Sequence, residues 1–139
     1  MNHQTTNMML RVVLGLIFLV HGLDKFQTGL DQVAMWFSSL GLLGVLAYLV
    51  AWLEVLGGIA LIVGFQTRFF SSAFILLLVG ALFSVKLSAG FLGDGSSAGY
   101  EFDLALLAIA IHLLNVGPAS RYSIDLYLHQ RKDQLNLNE

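Results

Sequence analysis

The sequence predicts an all-α integral membrane protein: a four-transmembrane-helix bundle with a short interfacial helix between helices 1 and 2. Three observations predict it. Of 139 residues, 57% are hydrophobic and only 12% are charged, against about 25% charged in an ordinary soluble domain. A chain this short cannot hide so much apolar surface in one water-soluble core, so its natural solvent is lipid. The apolar residues also come in long unbroken runs, not in the alternating segments of about ten residues that build a membrane barrel. Finally, a single proline leaves little to interrupt helices.

A transmembrane helix needs about 20 mainly apolar residues. Four segments meet this description, at about 8–23, 42–65, 69–87 and 102–117. The first is short, with Arg11 near its start, and it reads as a retained membrane helix because no small-residue cleavage pattern follows it. The second contains Glu54. The fourth ends at Pro118, which halts helices. The whole chain, 1–139, reads as one transmembrane domain with a polar tail over 119–139 and a surface helix starting near Ser123.

The connections carry their own signals. Over 26–40, Leu30, Val33, Phe37 and Leu40 recur at helical spacing, and Trp36 is of a type enriched at membrane interfaces. This predicts a helix lying in the headgroup region, acting as a partial lid for a membrane-borne ligand. The turn at Gln66, Thr67 and Arg68 is so short that the helices it joins must be antiparallel neighbours. The loop from Ser88 to Tyr100 is rich in Gly and Ser, hence irregular. No strand precedes its glycines and no Lys-Ser/Thr follows them, so it does not read as a phosphate loop.

Composition excludes several chemistries. The absence of cysteine removes disulfides, thiol relays and Cys-ligated clusters, and a net charge of −2 gives no basic field for nucleic acid. Four spans put both termini on one side. That side carries Arg11, Arg68, Arg121, Arg131 and Lys132, against Lys25 and Lys86 on the other, which predicts cytoplasmic termini.

An ionisable residue inside a span is costly and needs a reason. Glu54 is the clearest case. It lies fourteen residues before Arg68, roughly 21 Å along a helix. Ala47, Ala51, Glu54 and Gly58 share one face, and small residues mark close helix contacts in membranes. Glu54 should therefore point into the bundle, either as a structural protonated carboxyl or as part of a site. In the last span Glu101, Ala105, Ala108 and His112 share a face, while Asp103 faces elsewhere, towards water. The first span ends with His21, Asp24 and Lys25 on one face. His21, at a depth similar to Glu54, is the favoured partner of that acid, with Arg11 second. Lys25 alone reads as a snorkelling lysine, and Arg11 either snorkels to the inner surface or reaches an inner carboxylate or ligand. His112 alone reads first as a structural histidine. Trp52, Phe18 and Tyr100 are near enough in sequence to wall a pocket. Two histidines on different helices carry no further signature of haem, no flavin or iron–sulfur motif is visible, and the Glu-x-x-His pattern of di-iron bundles is missing, so no metal is expected.

At these residues the chain resembles the DoxX family of small bacterial membrane proteins. The likeness is carried by Leu14 through Lys25, by Ala51-Trp-Leu-Glu54-Val-Leu-Gly-Gly58 continuing to Thr67-Arg68, by Gly99-Tyr-Glu101, and by Gly117-Pro118 with Ser123-Ile-Asp125. The resemblance implies a four-helix protein of the bacterial plasma membrane, of an oxidoreductase class tied to quinones, thiosulfate or catechol stress. On its motif positions, Arg11, His21, Lys25, Glu54, Tyr100 and Glu101 match. The expected site is thus catalytic Glu54, His21 and Glu101, with Arg11, Lys25, Trp52, Tyr100 and His112 binding substrate.

Two further readings stand beside a quinone- or catechol-linked oxidoreductase. One is a non-enzymatic membrane subunit that anchors soluble redox or detoxifying enzymes. The other is a small-molecule transporter or sensor with a buried proton relay. The redox reading needs a bound cofactor or a partner enzyme, because these side chains supply neither electrons nor hydride.

Overall fold

The structure is a computed structural model and describes residues 3–93, 95, 99–116 and 122–136, with the side chains of 135 and 136 left aside. The described residues form six α-helices: α1 His3–Thr28, α2 Leu30–Ser39, α3 Val45–Val63, α4 Thr67–Ala81, α5 Glu101–Val116 and α6 Ile124–Asn136. Beyond α4 the chain continues as a π turn, Leu82–Lys86, and a 3₁₀ turn, Leu87–Ala89.

Three helices are long and apolar enough to cross a bilayer: His3–Thr28, Val45–Val63 and the continuous Thr67–Ala89. Large apolar residues such as Val20, Leu49, Leu56 and Leu76 face outward from them. In water this would drive aggregation; in lipid it is the expected surface. The first helix is longer than its apolar run, because Gln4, Thr5, Thr6 and Asn7 extend it by polar turns and Asp24 to Thr28 continue it at the other end. It stops at Gly29, whose φ of 99° lies in the left-handed region and lets the chain turn into α2. The helix that contains the fourth apolar segment has 16 residues. Its expected stop at Gly117 and Pro118 lies outside the described residues.

The packing starts with α1 against α3. A Cβ on Gly58 would stand 2.7 Å from the Gly15 carbonyl oxygen and 2.7 Å from the Leu19 nitrogen. A Cβ on Gly22 would stand 2.9 Å from the Val55 nitrogen. The two backbones are therefore in contact at both glycines. Leu14, Phe18, Leu61, Phe74, Leu78, Leu106, Ala110 and Leu113 then join α1, α3, α4 and α5 in one core. The rings of Phe18 and Phe74 stack at 3.7 Å.

The far end of the chain closes the turn between α3 and α4. Gly64 ends α3 in a left-handed conformation, φ 73°, and Gln66 follows at φ 49°. The Gln66 and Thr67 N–H groups donate to the two carboxylate oxygens of Asp125, at 2.8 and 2.9 Å. Asp125 thus caps α4 from 58 residues away. Its own N–H donates to the Gly64 carbonyl. Ser123 Oγ accepts from the Leu126 N–H and starts α6 where the sequence places a surface helix.

The glycine crossing is directly testable. Gly58→Val should destabilise the protein by about 2 kcal/mol through overpacking against the α1 backbone. Gly80→Ala, where a Cβ meets nothing within 4 Å, should leave stability unchanged or raise it by up to about 1 kcal/mol. Thermal unfolding of the two variants in detergent reads the contrast.

Candidate functional site

Between α1, α2, α3, α4 and the start of α5 lies a cavity of about 450 Å³. Its walls are mainly apolar: Phe18, Phe37, Leu46, Val50, Leu77, Phe102 and Leu106. The polar groups on it are His21 and Lys25 from α1, Glu54 from α3, Ser84 and Lys86 beyond α4, and Asp103 from α5. A concave apolar chamber with a few convergent polar groups is what a small-molecule site requires.

Glu54 is buried, with 4% of its surface exposed. Ala47, Ala51 and Gly58 on the same face are buried with it, which keeps lipid from the carboxyl. Its partner is Lys25, whose Nζ donates to Glu54 Oε2 at 2.6 Å. The sequence favoured His21, with Arg11 second and Lys25 snorkelling; the geometry corrects all three. Gly22 brings α1 so close to α3 that a Cβ on it would stand 3.0 Å from Glu54 Cβ. Lys25 follows Gly22 by three residues, and its four-carbon stem spans the remaining gap. His21 turns back along its own helix instead, its Nδ1–H donating to the Ile17 carbonyl at 2.8 Å. The residue still lines the same cavity. A carboxylate and an ammonium at contact distance make a neutral but strongly dipolar pair, able to donate to or accept from a ligand oxygen.

The other expected site residues go elsewhere. Arg11 is fully buried towards the opposite end of α1, where its Nη2 donates to the Tyr122 carbonyl at 3.0 Å beside Asp125. It supports the junction with α6, far from the cavity. His112 meets Asn7, with 2.8 Å between Nε2 and Oδ1, and so ties α5 to α1. Trp52 is half exposed and packs edge-on against Phe26. Two residues before Glu54, it points roughly 200° away from that carboxyl. Tyr100 packs against Phe91, and Glu101 is exposed. Neither lines the cavity.

Asp103, half-buried, lines the cavity. The reason is helical phase. Phe102, Asp103 and Leu106 lie one, three and four residues apart on α5 and turn one flank inward, whereas the stripe from Glu101 to His112 lies on another. Trp36, Phe37, Ser84 and Lys86 were also missed as site residues. The first two lie on the helix the sequence predicts as a partial lid, but were not singled out as site residues; the last two depend on a turn the sequence does not announce. Among the described residues no three His, Cys, Asp or Glu side chains converge as a metal site.

The fold and the chamber define a small helical membrane protein with an ion-paired pocket. The DoxX family model matches residues 6–87, and the chain belongs to the DoxX family. It is 39% identical over 132 residues to "Putative oxidoreductase CatD" of Bacillus subtilis, covering 94% of this chain and 92% of that protein. It is 32% identical over 133 residues to the uncharacterized membrane protein Rv3486 of Mycobacterium tuberculosis, covering 88% of this chain and 80% of that one. No solved structure matches the chain.

The pair should behave as a unit. Lys25→Met should cost about 3 kcal/mol, because it strands the buried Glu54 carboxylate, and Glu54→Leu should cost less, because the partly exposed Lys25 can turn to water. The double variant should recover most of the Lys25→Met loss. A double-mutant cycle on thermal stability in detergent measures the coupling.

Proposed function

We propose that the protein is a membrane redox protein that takes a quinone or catechol-like molecule from the bilayer into the cavity beside Glu54 and Lys25. One observation carries this reading: an apolar chamber of about 450 Å³ has in its wall an ion pair whose carboxylate is buried. An apolar ring fills the chamber, and its oxygen atoms meet the pair. Reduction of a quinone consumes protons, and a carboxyl, an ammonium and an imidazole on one wall are suitable proton carriers. Electrons come from a bound cofactor or a partner enzyme. The likeness to a relative named as an oxidoreductase supports the same class.

In this reading α5 is the fourth span and both termini are cytoplasmic in a bacterial plasma membrane. The helix α2 lies in the opposite interface, where Trp36 and Phe37 form the lid over the cavity. Gly29 and Gly41, both at positive φ, flank that lid, and Tyr48 donates to Asp31 to hold it on α3. His21, Glu54 and Lys25 serve the chemistry; Arg11, Trp52, Tyr100, Glu101 and His112 are supports, not contacts of the ligand.

Glu54→Gln separates chemistry from structure. The amide keeps size and still accepts from Lys25, so the variant should fold and insert normally. It should nevertheless lose binding of a soluble quinone analogue and any quinone-linked turnover. Full binding and turnover by this variant would remove Glu54 from the site. The absorption spectrum of the purified protein decides the electron source. A bound flavin or haem supports an enzyme in its own right; a colourless protein that co-purifies with a soluble oxidoreductase supports a subunit.

Topology is checked in whole cells, aided by the cysteine-free sequence. A cysteine replacing Ser88 should react with an impermeant maleimide, and one replacing Gln130 should not. The opposite pattern would invert the protein.

A further inference from the structure

The wall of the cavity beyond α4 contains an irregularity with a consequence for the site. The Leu87 N–H donates to the Leu82 carbonyl, five residues back, and Leu82–Lys86 forms a π turn. Such turns are rare and gather at functional sites. Here the effect on one side chain follows from angular phase. Leu77, Ala81 and Lys86 all line the cavity. In an unbroken α-helix, at about 100° per residue, position 86 would point roughly 180° from position 77, into lipid. The wider turn, at about 82° per residue, brings Lys86 back to roughly 90° from Leu77, on the same flank as Val85. Phe83, which also lies on the turn, stays outward and is 71% exposed.

Position along the bundle matters too. Lys86 lies nineteen residues beyond Thr67, roughly 28 Å, whereas Glu54 lies thirteen residues before it, roughly 20 Å. Lys86 therefore sits about 8 Å nearer the lidded end than Glu54. The chamber has a charged pair at one level and a second cation, with Ser84 and Asp103, nearer its rim.

We infer that Lys86 is a ligand-positioning residue, turned into the cavity by the π turn, which holds an acceptor oxygen of an apolar ring compound near the rim while the Glu54–Lys25 pair holds another part of it. This rests on the proposed function for its ligand, but not for the placement of the side chain. Two readouts keep them apart. The first is binding of decylubiquinone to the purified full-length protein. Lys86→Met should weaken it by about tenfold or more, the loss expected for a hydrogen bond to a charged group. Lys86→Arg should stay near wild type, and both variants should remain folded, which thermal unfolding of each checks. Equal affinity for wild type and Lys86→Met, or an equal loss in both variants, overturns the positioning role.

The second readout needs no ligand. A bimane fluorophore on a cysteine at position 86 should be quenched by Trp36, which lines the same cavity, and quenching should vanish with Trp36→Phe. Bimane at position 83 should be unquenched. An unquenched label at 86 overturns the placement. If the wild-type protein binds no decylubiquinone, the quinone reading and the positioning role for that ligand both fall, and the bimane result alone decides which way Lys86 faces.

Discussion

The near-contact of the α1 and α3 backbones is the constraint on which the rest depends. Two helices with ordinary side chains between them pack 8–10 Å apart. Gly15, Gly22 and Gly58 remove the side chains that would hold them there. The gain in a bilayer is van der Waals contact, because lipid supplies no hydrophobic force between helices. The chemical result is that a carboxyl on α3 and a lysine on α1 meet at contact distance. The pocket inherits its polar wall from a packing motif.

The pair also explains how an acid survives at that depth. A lone carboxylate in hydrocarbon would be protonated or expelled, at a cost of several kcal/mol. Lys25 replaces its hydration with one short contact. Arg11 is handled differently at the other end of the same helix. It is buried against a backbone carbonyl and beside Asp125, where it braces the junction between α1, the α3–α4 turn and α6. One helix thus carries a buried cation, Arg11, and a partly buried one, Lys25, with separate tasks.

Much of this was legible in the sequence. Membrane class, the apolar runs, the inward face of Glu54 and the helix after residue 29 follow from composition and periodicity, because lipid leaves a chain few alternatives to helices. The partner of Glu54 was not. Depth along a helix ranks His21 level with the acid, but depth ignores side-chain reach and the rotation set by Gly22. Trp52 failed for a related reason: nearness in sequence is not a shared face. Lys86 was hidden more deeply, since its direction depends on one wide turn that no residue pattern signals.

The carboxylate that caps α4 bears on how the chain is made. Gln66 and Thr67 leave the ribosome long before Asp125 exists. Until then two backbone donors at the start of α4 have no side chain to receive them. The hairpin of α3 and α4 must enter the membrane with its turn unfinished, and the last helix locks it afterwards. Synthesis order therefore makes the polar tail the final fastening of a turn built half a chain earlier.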